Sequence, residues 1–154
     1  APTLARYESN WEVLLVLPKL DRIFGEKERN FFSEICPINE DDIEKLARIT
    51  LSKILPAIVE NDLMGFCEGV NLIQERTWKK SEIGLYGEKV KGLMEKIRSI
   101  DKFLGVGMSS IGPLIYVFGD GLRKIYDNFN KKDFEILKIT KIRNNGIRIK
   151  RMDK

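Results

Sequence analysis

The order in which apolar patterns follow one another limits the folds open to this chain more than any other feature. One strand-like run comes first, helix-periodic segments fill the middle, and two more strand-like runs flank a glycine-rich stretch. Residues 11–17 (WEVLLVL), rich in strand formers and closed by Pro18, read as a buried strand. GEKERNFFSEI predicts a helix opened by Gly25, with first-turn acids that suit the helix dipole and with Phe31, Phe32 and Ile35 inward. Residues 37–42 are a break in which Asn39 or Asp41 can cap the next helix. There Ile43, Leu46, Ala47, Thr50, Leu51, Ile54, Leu55 and Ile58 recur at helical spacing. Pro56, inside that pattern, should kink the helix or begin a new turn, because it removes a backbone donor. Asp62 can cap a further helix whose stripe is Leu63, Phe66, Cys67, Val70 and Ile73. Residues 77–88 (TWKKSEIGLYGE) read as a polar, glycine-dotted loop, and Val90, Leu93, Met94, Ile97 and Ile100 mark another amphipathic helix.

The second half completes the pattern. Residues 103–106 and 113–118 form a hairpin-like pair around GVGMSSIG. Leu122, Ile125, Tyr126 and Phe129 mark a helix, and FEILKITKI alternates as a half-buried strand. Asn144, Asn145 and Gly146 supply a turn into a short edge strand, GIRIK. Strand, helices, strand, strand, helix, strand is the split βαβ order of an α+β, ferredoxin-like sandwich with extra helices in its first crossover. At 154 residues it makes a single domain, 1–154, with no repeat or linker.

Composition narrows the function. The chain has 43% hydrophobic and 32% charged residues, which excludes intrinsic disorder. No apolar stretch reaches the roughly 18 residues of a membrane span, and the start lacks a signal-peptide layout. Cys36 and Cys67 are too few for a disulfide framework or a zinc cage, so a cytoplasmic location with reduced thiols is expected, Cys67 serving as core packing. The net charge of +4 concentrates in the tail (Lys141, Arg143, Arg148, Lys150, Arg151, Lys154) and elsewhere mixes with acids, so neither nucleic acid nor membrane is an expected partner. With no histidine, the commonest general base and metal ligand are missing.

Chemistry can gather at residues 105–112. Gly105, Gly107 and Gly112 permit close backbone approach, and backbone N–H groups with the hydroxyls of Ser109 and Ser110 can converge on phosphate oxygens. The alternative is a plain hairpin turn. A dinucleotide fingerprint is excluded because Ser110 stands where a third glycine is needed and a strand follows. A P-loop is excluded because the loop has no lysine. Arg143 and Asn144 are a second candidate contact for an anion, or an ordinary basic turn. Trp78 and Tyr86 either wall an aromatic ligand or anchor their loop. The carboxylates Glu26, Glu28, Asp41, Asp42 and Asp62 are explained by helix starts, and no metal site stands out. No catalytic acid or base can be named.

VLLVLP, GEKERNFF, LPAIVENDLMGFCEGVNLIQ, GVGMSSIGPLIYVF and TKIRNNGIRI, in this order, resemble the C-terminal half of the archaeal β-ribofuranosylaminobenzene phosphate synthases of the GHMP kinase superfamily. The resemblance covers nearly the whole chain, with GVGMSSIGP and RNNG its most specific parts. It implies the fold of a GHMP kinase C-terminal domain. It also implies a transferase that joins 4-aminobenzoate to phosphoribosyl diphosphate, with loss of carbon dioxide and diphosphate, in methanopterin biosynthesis. Gly105, Gly107, Ser109, Ser110 and Gly112 would then face the ligand, with Arg143 and Asn144 as a second contact, and Mg²⁺ would neutralise the diphosphate from ligands outside this chain. Gly107→Val would abolish binding and spare the fold. The partners implied are the phosphorylated substrate, the aromatic acid and an N-terminal domain without counterpart here, with a homo-oligomer left open; the chain alone would be inactive. The alternatives are the same half of a homoserine- or mevalonate-type GHMP kinase, or a non-catalytic ferredoxin-like ligand-binding domain.

Overall fold

A computed structural model describes residues 6–145. The expected edge strand GIRIK, Gly146 of the turn before it, and the tail residues Arg148, Lys150, Arg151 and Lys154 lie outside the described residues.

β1 (Glu12–Pro18) holds the centre of a four-stranded antiparallel sheet ordered β2-β3-β1-β4, with β2 at Gly105–Met108, β3 at Ile115–Phe118 and β4 at Phe134–Lys141. Register fixes Leu14 opposite Val117 on one side and opposite Ile139 on the other. This is the split βαβ topology, and the chain is an α+β, ferredoxin-like sandwich. Strand alternation sorts the side chains. Leu14, Val16, Val106, Met108, Ile115 and Val117 enter the main core beneath α5 (Lys79–Gly84), α6 (Glu88–Ile100) and α7 (Leu122–Asp127). Val13 and Phe118 point to the other face, where they meet Cys67 of α4 (Leu63–Arg76).

The helix caps follow the sequence. Asn39 Oδ1 accepts the Asp42 N–H (2.8 Å) at the start of α2 (Glu40–Ile49), and Asp62 Oδ1 accepts the Gly65 N–H (2.9 Å) at the start of α4. Gly25 opens α1 (Glu26–Ile35) at φ 67°. Pro56 does begin a new segment. The chain passes from α2 through a π turn (Thr50–Ile54), in which Leu55 N–H reaches back to Thr50 O, and Pro56 is the second residue of α3 (Leu55–Glu60). The wider turn adjoins the proline, where the ordinary helical ladder loses a donor.

Two readings need correction. Residues 77–88 are not a loop: α5 forms there because Thr77 Oγ1 accepts the Lys79 N–H (3.3 Å), Trp78 Nε1 donates to Glu82 Oε1 (3.1 Å), and Ile83 enters the core. Gly84 ends that helix and Gly87, at φ 56°, opens the next. The first strand of the hairpin also starts later than residue 103. Phe103 is exposed, and β2 begins at Gly105, so the glycine-rich stretch is partly strand.

Candidate functional site

The segment 105–112 divides into two parts with different physics. Gly105 and Gly107 are buried in β2 and face the side of the sheet on which α4 lies. A Cβ on Gly105 would stand 2.7 Å from Cys67 Cα, and one on Gly107 would stand 2.8 Å from Tyr116 Cε2 with the ring's Cζ and hydroxyl closer still. Glycine at both positions lets the helix backbone and the tyrosine ring lie against the strand. Gly107→Val would therefore press on the Tyr116 ring, so the substitution acts on packing as well as on any ligand.

The remainder is a turn. Ser109 N–H donates to Leu114 O (2.8 Å), and Gly112 N–H donates to Ser109 O (2.9 Å). Ser110 and Gly112 hold positive φ, 51° and 64°. Ile111 is buried, whereas Ser109 and Ser110 are exposed. Among the described residues, the Ser110 and Ile111 N–H groups and both serine hydroxyls donate to no protein acceptor. The fold also supplies the cation that the loop sequence lacks. Lys79, 31 positions earlier, donates from Nζ to Ser110 O (2.9 Å) and pairs with the buried carboxylate of Glu82. The turn thus offers backbone and hydroxyl donors beside a braced ammonium, a set suited to the oxygens of an anion.

Arg143 and Asn144 are not brought to this turn. Glu12 pairs with Lys141 and Val16 with Ile115, so residues 143–144 leave β4 at the opposite end of β1. The length of β1 separates the two groups by about 20 Å. Asn144 is also occupied: its Oδ1 accepts the Ser9 N–H (3.0 Å), and its Nδ2 donates to Ser9 O (2.9 Å). The side chain mimics a strand partner and ties the leading segment to the sheet. Arg143 is exposed beside it. Tyr86 anchors: its hydroxyl accepts the Ile23 N–H (3.2 Å) and fixes the connection between β1 and α1. Trp78, half-buried, serves α5 through Glu82.

Side chains missed in the sequence close the outer edge of β2. Asn71 Nδ2 donates to Leu104 O (2.7 Å), while Asn71 Oδ1 accepts the Val106 N–H (3.0 Å). Gln74 Oε1 accepts the Met108 N–H (3.0 Å), and Arg98 Nη2 donates to Val106 O (3.0 Å). A bare strand edge presents unpaired donors and acceptors, and here three side chains take the place of a fifth strand. Burial lowers the pKa of the Arg98 guanidinium, which Glu75 at 3.0 Å partly offsets. Burial pushes the Cys67 thiol up to about 11, so it is protonated packing beneath β2.

Among the described residues no three histidine, cysteine, aspartate or glutamate side chains gather as a metal site, and the turn presents N–H and O–H donors. These residues do not fit Mg²⁺. No helix among them is long and apolar enough to cross a membrane.

No protein-family model matches the chain. It is similar to the beta-ribofuranosylphenol 5′-phosphate synthase of Archaeoglobus fulgidus, at 39% identity over 156 residues, covering 97% of this chain and 48% of that protein. The enzyme of the same name from Methanocaldococcus jannaschii is 38% identical over 154 residues, covering 97% of this chain and 46% of its own length. That of Methanothermobacter thermautotrophicus is 37% identical over 122 residues, covering 77% of this chain and 37% of its length. The chain therefore spans about half the length of the first two curated relatives. Over the half of their length that it spans, this chain is a homologue of the beta-ribofuranosylphenol 5′-phosphate synthases.

Proposed function

We propose that this chain is the C-terminal half of a synthase that joins a para-substituted benzoate to phosphoribosyl diphosphate, releasing carbon dioxide and diphosphate. The observation that carries the reading is the identity of 38–39% across 97% of the chain to synthases of one name. That name specifies a phenol product, so 4-hydroxybenzoate stands beside 4-aminobenzoate as the acceptor. Either substituent pushes electron density toward the ring carbon that bears the carboxylate.

In this reaction that ring carbon forms a bond to the anomeric carbon, and diphosphate leaves with the electron pair of the broken C–O bond. Carbon dioxide then departs, and its bonding pair restores the aromatic ring. The protein must hold phosphate charge and receive the leaving anion. The free donors of Ser109, Ser110 and Ile111, with Gly112 shaping the turn and Lys79 braced at Ser110 O, support a role in holding phosphate oxygens. Gly105 and Gly107 contribute by keeping β2 tight against α4 and Tyr116.

A partner region supports the same reading. Leu51 and Val59 are 66% and 61% exposed on the outer side of the α2–α3 rod, eight residues apart, and suit a face that further polypeptide covers. Cytoplasmic methanopterin biosynthesis, a GHMP-type partner domain with its own phosphate loop, and Mg²⁺ held by that domain belong to this proposal.

The test pairs this chain with the complementary half of the Archaeoglobus fulgidus relative and measures labelled carbon dioxide. Release from carboxyl-labelled 4-hydroxybenzoate or 4-aminobenzoate should require phosphoribosyl diphosphate and both halves. Ser109→Ala/Ser110→Ala should raise the KM for phosphoribosyl diphosphate by about tenfold, or about 1.4 kcal/mol. ATP consumption with a small alcohol, and no carbon dioxide, would overturn the synthase in favour of a kinase.

A further inference from the structure

Behind the outer edge of β2, α4, α5 and α6 surround a cleft of about 510 Å³. Its wall carries a fixed donor that the protein leaves unanswered. Gln74 is only 3% exposed, and because its Oε1 accepts from Met108, its amide orientation is set and Nε2 is turned away from the strand. No acceptor among the described residues takes that Nε2. Arg98 engages Glu75 through Nη1 and Val106 O through Nη2, which leaves its buried Nε without a partner. The Gln74 donor is held still, since the other end of its amide is bonded to β2, and Arg98, its Nε sealed from solvent, is fixed to β2 by Nη2. An unanswered amide donor on a nearly buried side chain, held still at the wall of a cleft, calls for an acceptor, and the Arg98 guanidinium adds positive charge to the same wall.

The rest of the lining selects the kind of acceptor. Ile83 and Met94 are buried core residues that give the cleft an apolar floor. Among the charged lining residues Arg98 pairs with Glu75 (3.0 Å) and Lys91 with Glu95 (3.9 Å), which leaves the positive charge of Lys80 uncompensated among the described residues. The volume falls within the roughly 300–1,000 Å³ range of small-molecule sites, far more than a lone inorganic anion fills. We propose that this cleft binds a small organic carboxylate, its oxygens on Gln74 Nε2 within the field of the Arg98 guanidinium and its apolar body on Ile83 and Met94. The site is separate from the β2–β3 turn and does not depend on the synthase reading.

The 154-residue chain is titrated with hexanoate and cyclohexanecarboxylate, with 1-hexanol and inorganic phosphate as comparisons. Binding is followed by calorimetry and by the NMR signals of Arg98 Nε–H and Gln74 Nε2. At least one carboxylate should saturate at millimolar concentration and move both signals, whereas hexanol and phosphate should not. Gln74→Glu keeps an acceptor for Met108 N–H but replaces the donor with an oxygen, and should weaken binding at least tenfold. Gly84→Leu enters from a position where a Cβ meets nothing within 4 Å, so it should fill the cleft and abolish binding with an unchanged melting temperature. Should Gln74→Glu fail to fold, Gly84→Leu decides alone. The proposal falls if neither carboxylate binds, if hexanol or phosphate moves the same signals, or if Gly84→Leu binds like the parent. Carbon dioxide release plays no part in this readout, so the synthase reading and the cleft can fail independently.

Discussion

Replacing Gly107 with alanine sets a methyl group against the Tyr116 ring, and a double-mutant cycle reads how firmly the two are locked together. The added carbon would lie 2.8 Å from Tyr116 Cε2. Carbon atoms rest about 3.5–4.0 Å apart, so the ring must retreat by about 1 Å. Overpacking of this kind costs about 1–3 kcal/mol. Removing a glycine from a strand returns about 0.5–1 kcal/mol of backbone entropy. The net expectation is a destabilisation of about 1 kcal/mol, read from urea unfolding followed by the fluorescence of Trp11 and Trp78. In a Tyr116→Ala background the obstruction is gone, and Gly107→Ala should be neutral or mildly stabilising. The coupling between the two sites should therefore exceed the roughly 0.5 kcal/mol scatter of independent positions. Equal effects of Gly107→Ala in both backgrounds would refute the packing role and return this glycine to the ligand.

Asn71→Ala strips the caps from Leu104 O and Val106 N–H together; at about 1–3 kcal/mol for each orphaned group it should destabilise by roughly 2–6 kcal/mol and hasten hydrogen exchange at the Val106 amide. A loss below about 1 kcal/mol with unchanged exchange would show that water closes this edge equally well. Alkaline pH provides another test. The Cys67 thiol is raised from 9.0 to about 11 on folding, so above pH 9 the unfolded chain sheds a proton that the folded chain retains. The contribution is complete below pH 9 and lost as pH climbs through about 11, which removes up to about 2–3 kcal/mol. Tyr116, also raised by burial, adds loss of the same sign. Urea midpoints between pH 8 and about 11 should fall more steeply for the parent than for Cys67→Ala, and superimposable profiles would sink the assignment.

Local rules explain what could be read from the residues alone. Asn39 and Asp62 cap their helices because each stands immediately before an apolar stripe at helical spacing, and both halves of that signal lie within a few residues. The four strands of the sheet are legible for the same reason, since alternation and β-rich runs are short-range patterns. α5 was hidden because Gly84 and Gly87 look like loop residues, while the contacts that make the helix, Trp78 with Glu82 and Ile83 with the core, depend on side chains meeting in space. The glycines of GVGM carry a double meaning. In sequence they signal room for a ligand; in the fold that room is taken by Cys67 and Tyr116. Nothing in the order of residues tells those cases apart, because the occupant comes from α4 and from the next strand.

The candidate site was legible only in its turn. Ser109 and Ser110 can be picked out because no core or surface pattern explains them, but Lys79 reaches them through a fold that places α5 beside the β2–β3 connection. The pairing with Arg143 and Asn144 failed on register. Both segments follow strands, yet the antiparallel pairing of β1 with β3 and β4 sends them to opposite ends of the sheet. Asn71, Gln74 and Arg98 were the least visible of all. Polar residues beside an apolar helix stripe ordinarily face water, and their positions along α4 and α6 fit that assignment. They become structural because β2 is short, ends the sheet and would otherwise leave backbone groups bare. A polar residue flanking a helix stripe therefore has two meanings, a solvated surface or a clasp on a strand edge. Which one applies is decided by where the edge strand lies, and the same placement that spends Gln74 Oε1 on β2 leaves its Nε2 to the cleft.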